Sequence, residues 1–177
     1  MSDEELPGRV RRAVAGHDAF AVADGRARAV STPFEGTVTA TEREDGRVAF
    51  AVTVRLPMLG AVTEDEVAEV VEEGWYETFA LRAADPGAVT EAGHDLAPTV
   101  DRADREVVVD AEFADIDERR GVNDAAAVVD FVEGTFVQGV IPGYDYTDPV
   151  ASVLATARRA GGSDGVDPAP GTGAGER

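Results

Sequence analysis

The chain has 177 residues, with 35 Asp and Glu against 16 basic residues, all of them Arg, for a formal net charge of -19 and a pI near 4.3. Without Lys there is no P-loop lysine and no Schiff base, and without Cys there is no disulfide, thiolate nucleophile or thiolate metal site. The acidic balance also argues against nucleic acid as a direct partner, because neutralising phosphates requires a basic face.

A first helix is predicted from about Glu4 to Ala15, with Leu6, Val10 and Val14 on one stripe and Gly16 as its stop. Two Asp-Gly hairpin signals follow. Asp24-Gly25 joins Ala19–Ala23 to Arg26–Ser31, and Asp45-Gly46 joins Phe34–Thr41 to Val48–Arg55. In the last of these strands Val48, Phe50, Val52 and Val54 share one face, and Ala49, Ala51, Thr53 and Arg55 the other. A capping box, Thr63 with Glu66, opens a second helix whose stripe is Val67, Val70, Val71, Trp75 and Phe79. Two strands follow at Leu96–Asp101 and Arg105–Phe113, the first placed at an edge by Pro98. Asn123 caps a third helix over Asp124–Gln138, and Asp148-Pro149 opens a fourth that ends at Ala160.

The resulting order, α-β-β-β-β-α-β-β-α-α, predicts an α+β two-layer sandwich: an antiparallel meander sheet with helices on one face. Residues 3–160 are expected to form a single domain. Residues 161–177 are expected to form a disordered Gly/Pro-rich tail, having almost nothing to bury.

The charge describes an environment. At about 1 M salt the Debye length is roughly 3 Å, against roughly 10 Å at 0.1 M, so crowded carboxylates barely repel. A GC-rich genome explains the missing Lys, the single Asn123 and the two isoleucines, Ile116 and Ile141, but not the acid excess. The expectation is a halophilic source. The acidic Met1–Leu6 is unlike a secretory leader, the stretch after Arg11-Arg12 is interrupted by His17-Asp18 and Asp24, and no run reaches membrane-spanning length. A cytoplasmic protein with no membrane partner is therefore expected.

The segment Asp130-Phe-Val-Glu-Gly-Thr-Phe-Val-Gln-Gly-Val-Ile-Pro-Gly-Tyr-Asp-Tyr146 resembles the closing segment of a haloarchaeal protein family of unknown function. The acidic N-terminus and Val-Arg-Leu-Pro-Met-Leu at Val54–Leu59 are similar to it as well. The resemblance covers about residues 4–160 and implies a source and a domain extent, with no activity or cofactor. The element order over residues 4–140 resembles the type III secretion chaperone-like sandwich, which implies binding of other proteins.

Two His-Asp pairs, His17-Asp18 and His94-Asp95, would build a metal site if the fold joined them; otherwise each histidine caps its own turn. Asp115-Ile116-Asp117-Glu118 begins like a calcium loop, but Arg119 and Arg120 occupy positions that need an oxygen ligand and a glycine, so it reads as a polar loop entering the third helix. Pro142-Gly143 signals a type II turn, with Tyr144 and Tyr146 flanking Asp145. The third helix is apolar nearly all round, through Val128, Val129, Phe131, Val132, Phe136 and Val137, so either the fourth helix or another chain must cover it. The first reading is thus a non-enzymatic protein-interaction or chaperone-like module, with a protein partner or a second copy. Its candidate binding residues are Phe131, Phe136, Pro142, Tyr144, Asp145 and Tyr146, and no catalytic residue, metal or cofactor is assigned. The alternatives are an acid/base or metal-assisted enzyme using His17, His94 and carboxylates, and a small-ligand binder near Tyr144 and Tyr146.

Overall fold

The computed structural model describes residues 5–162, so the predicted tail beyond Gly162 lies outside the described residues. The elements are α1 (Gly8–Ala15), β1 (Phe20–Ala23), β2 (Arg26–Ala29), β3 (Glu35–Glu42), β4 (Val48–Pro57), α2 (Glu69–Ala83), β5 (Thr99–Ala103), β6 (Glu106–Asp115), α3 (Glu118–Gln138) and α4 (Val150–Gly162). This is the α+β order read from the sequence. The strands form one antiparallel sheet in the order β1-β2-β3-β4-β6-β5. β5 lies at the edge of the sheet, as expected, but starts at Thr99 rather than Leu96, after Pro98, which lacks a ladder donor.

Alternation sets the two faces of the sheet. Val48, Phe50, Val52, Val54 and Leu56 of β4 are buried, as are Val107, Val109, Ala111 and Phe113 of β6. The ladder places Phe50 opposite Phe113 and Val52 opposite Ala111. The rings of Phe50 and Phe113 stack with centroids 5.2 Å apart. On the opposite face Thr53 Oγ1 donates to Asp110 Oδ1 at 2.6 Å, one cross-strand pair of a thin polar layer.

α3 lies across the buried face against β4 and β6, flanked by α1 and α2. Its apolar girth is therefore covered from within the chain: Val122, Ala125, Val128, Val129, Val132 and Phe136 all join the core, with Val150 and Val153 of α4. No second chain is required to explain it.

Local differences from the sequence reading have specific causes. α1 starts at Gly8 rather than Glu4, because Leu6 N–H donates to Gly25 O at 2.8 Å and Pro7 is the N-cap. Asp24 and Gly25 have φ of 52° and 75°, as a type I′ turn requires. The second Asp-Gly is not such a turn. Gly46 alone has positive φ, Gly46 N–H reaches Arg43 O and Arg43 N–H reaches Arg47 O, so the connection is longer by a bulge residue. Thr63 does not cap α2. Val62–Glu64 is tied to Asp145–Thr147 by Glu64 N–H to Asp145 O and Thr147 N–H to Val62 O, which holds it extended and delays α2 to Glu69. α3 begins at Glu118, earlier than Asn123, because the Asp117 side chain accepts from the N–H groups of Arg119 and Arg120. β5 and β6 each end about two residues beyond the predicted limits.

The early start of α3 places Gly121 on the Phe50 ring, where an added Cβ would overlap Cε2 and Cζ. Gly121→Ala gains about 1 kcal/mol of helix propensity but forces an overpacking cost of about 1–3 kcal/mol. The expected outcome is a net loss in the urea midpoint. A rise would show that Phe50 can turn aside freely.

Candidate functional site

The six residues singled out by sequence do not converge on one surface. Phe136 is fully buried, with ring centroids 5.1 Å from Phe34, 5.7 Å from Trp75 and 6.3 Å from Phe79. Phe131 packs half-buried against the core. Pro142 and Asp145 are exposed and Tyr144 is half-buried, and Gly143 has the positive φ of 99° that a type II turn needs at its third position. Tyr146 is held by its bridge to Thr63, and its hydroxyl donates to Ile141 O at 2.6 Å. Burial pushes the Tyr146 phenol above its ordinary pKa.

The two histidines have separate surroundings. His17 Nδ1 accepts from Ala19 N–H at 3.1 Å, and its ring lies 5.7 Å from that of Phe20. Its carboxylate neighbour is Asp130, whose pKa is raised by burial and lowered somewhat by His17. His94 instead meets two carboxylates distant in sequence, Asp115 and Asp124, while its neighbour Asp95 is exposed.

The His94 cluster is built by three elements. Asp115 closes β6, Asp124 lies in the second turn of α3, and His94 belongs to the connection between α2 and β5. Its ring stacks on Phe113 with centroids 4.7 Å apart, and its backbone N–H donates to Thr90 Oγ1 at 2.9 Å. The side chains of Asp115 and Asp124 are 1% and 2% exposed. His94 Nε2 is 3.4 Å from Asp115 Oδ2 and 3.4 Å from Asp124 Oδ2, is itself buried, and makes no hydrogen bond.

Each carboxylate is oriented by other groups. Arg120 Nε and Nη2 donate to Asp115 Oδ2 and Oδ1 at 2.8 and 2.6 Å, and Asp117 N–H donates to Oδ1 at 2.9 Å. The Arg120 hydrogen bonds hold the Asp115 carboxyl down at about 2, against the opposing effect of burial. Asp124 Oδ1 accepts from Glu91 N–H at 2.8 Å, and Oδ2 from Ala92 N–H at 3.3 Å. The cluster therefore ties the α2–β5 connection to the start of α3.

Sequence reasoning found His94 but not its partners. One signal existed: the inward alternation Val107, Val109, Ala111, Phe113 continues to Asp115, a carboxylate at a core position. Asp124 likewise precedes Val128 and Val132 on the buried stripe of α3.

A second feature is α2. Trp75, Phe79 and Ala83 are buried, yet Val70 and Leu81 of the same helix are 79% and 77% exposed. Grooves run along both sides of the helix. One is lined by Val70, Trp75, Phe79 and Ile141, the other by Tyr76, Ala80, Leu81 and Val100. Arg102 closes one end of this face, pairing with Glu73 at 3.0 Å and Glu72 at 3.4 Å.

Fold and site together define, among the described residues, an α+β sandwich with a buried His-carboxylate cluster and two exposed large apolar side chains on α2. The chain belongs to DUF5813, a family of unknown function, whose match covers residues 15–156. No curated protein and no solved structure matches the chain. Among the described residues, no helix is long and apolar enough to cross a membrane.

Proposed function

We propose that this chain is a non-enzymatic interaction module of a salt-rich, haloarchaeal-type cytoplasm, chaperone-like in that it holds another protein, with residues 3–160 acting as one domain. The observation that carries the reading is the exposure of Val70 and Leu81 on α2, in a chain with a net charge of -19. Two large exposed apolar side chains on one helix stand apart from such a surface, with Glu73 and Glu77 exposed between them. Val70 and Leu81 are three helical turns apart, about 16 Å, which suits an extended or helical segment laid along α2. A second copy brings the same negative charge to the interface, so a less acidic protein is the favoured occupant. The turn at Pro142-Gly143, with Tyr144, borders this region through Gly139 and Ile141, which line the groove beside Trp75.

The test places a photo-crosslinking residue at Leu81, and at Thr53 on the opposite sheet face as control, in a molar-salt lysate. One defined protein crosslinked from position 81, not from 53, and lost in the doubly substituted Val70→Glu, Leu81→Glu chain, supports the reading. Circular dichroism verifies that the variant folds. A partner set unchanged by the substitutions overturns the reading, as does light scattering that shows the α2 face closing a homodimer.

A further inference from the structure

We propose that His94, Asp115 and Asp124 bind one divalent transition-metal ion of the zinc class. The argument is independent of α2 and of any protein partner. Three acceptor atoms converge: with a neutral imidazole, the Nε2 lone pair faces Asp115 Oδ2 and Asp124 Oδ2 at 3.4 Å each. The ligand atoms of the three residues all lie within 4.8 Å of one another. Arg120 Nε on Asp115 Oδ2 and Ala92 N–H on Asp124 Oδ2 offset part of this repulsion from outside, and the rest calls for something positive between the three atoms, either a proton on Nε2 or a cation.

Distance separates the two. A charge-assisted N–H to carboxylate bond is about 2.7–2.9 Å long, and Nε2 makes no hydrogen bond to either oxygen. Tetrahedral ligands at about 2.0–2.2 Å from an ion stand about 3.3–3.6 Å from each other, which includes the observed 3.4 Å. The donor set, one imidazole and two carboxylates, suits zinc, cobalt or manganese, and three protein ligands leave a further position to water.

The surroundings also match what a metal site requires. Ligating carboxylates are themselves hydrogen-bonded in such sites. Here Arg120 and Asp117 N–H steady Asp115, Glu91 N–H steadies Asp124, and Phe113 fixes the plane of the His94 ring. Charge is consistent too. Two carboxylates and one guanidinium leave one negative charge in a buried place, and a divalent ion reverses its sign without leaving an unpaired carboxylate.

Cobalt(II) titrated into the full chain, stripped with chelator and held in molar salt, reads both stoichiometry and geometry. The expected result is one site with the intense visible absorption of four- or five-coordinate cobalt, displaced by zinc. His94→Gln and Asp124→Asn are each expected to weaken binding by at least about 10- to 100-fold, the range seen even for indirect supports of a site, with circular dichroism verifying that they fold. Weak multi-site binding of octahedral cobalt that His94→Gln leaves unchanged is binding by surface carboxylates and overturns the proposal. So does a wild-type imidazole nitrogen spectrum in which Nε2 stays protonated when zinc is added.

Discussion

Arg120→Met is expected to lower the urea midpoint clearly, because it strands the buried Asp115 carboxylate, although the guanidinium itself is 40% exposed. Met keeps much of the Arg volume, so the loss is electrostatic rather than a cavity. Asp115 is 1% exposed on its side chain and takes two of its hydrogen bonds from this guanidinium. A second readout is pH, with chelator present. The folded pKa of about 2 lies below the ordinary 3.8, so the Asp115 contribution is complete above about pH 4 and is lost as pH falls through 2. The shift corresponds to about 2 kcal/mol. In the variant that acid sensitivity between pH 4 and 2 should largely disappear. Molar salt should weaken the effect only in part, because Asp115 is buried while Arg120 is about as exposed as Arg102, whose partner Glu73 also lies in solvent. A loss under about 1 kcal/mol with unchanged acid sensitivity would show that other donors replace Arg120.

Phe136→Ala is the second large effect, with about 3–5 kcal/mol of lost stability expected for a fully buried aromatic ring. Phe136 is where α3, α2 and the start of β3 meet, through Trp75, Phe79 and Phe34. The fluorescence of Trp75, the only tryptophan in the sequence, should report loosening of α2 before global unfolding. Phe131→Ala, at a half-buried position, should cost distinctly less. Equal costs at the two positions would contradict the packing described for α3.

The element order was legible because it rests on local patterns: alternation in β4 and β6, the Asp24-Gly25 turn, and the edge signal of Pro98. What was not legible depended on contacts distant in sequence. Thr63 has the spacing of a helix cap, but its segment is pinned by Asp145–Thr147, so α2 waits until Glu69. Gly121 reads as a loop residue and is instead the place where α3 clears the Phe50 ring. The apolar girth of α3 left open whether the fourth helix or another chain covers it, and α1, α2, the sheet and Val150 and Val153 of α4 pack there. The less conspicuous α2 carries Val70 and Leu81, the two most exposed of the large apolar residues described. His94 was visible, but its neighbour Asp95 points to solvent, and its true partners come from β6 and α3.

The position of α3 late in the chain has a consequence for biosynthesis. The inward row of β4, from Val48 to Leu56, is complete once Pro57 has been made, yet the helix that covers it begins only at Glu118. At about 5–20 residues per second of translation, that row waits roughly 3 to 12 seconds for its lid. During the wait the nascent meander carries that apolar row without α3 over it. The emerging chain, rather than the finished protein, is where this sequence most needs protection from its neighbours.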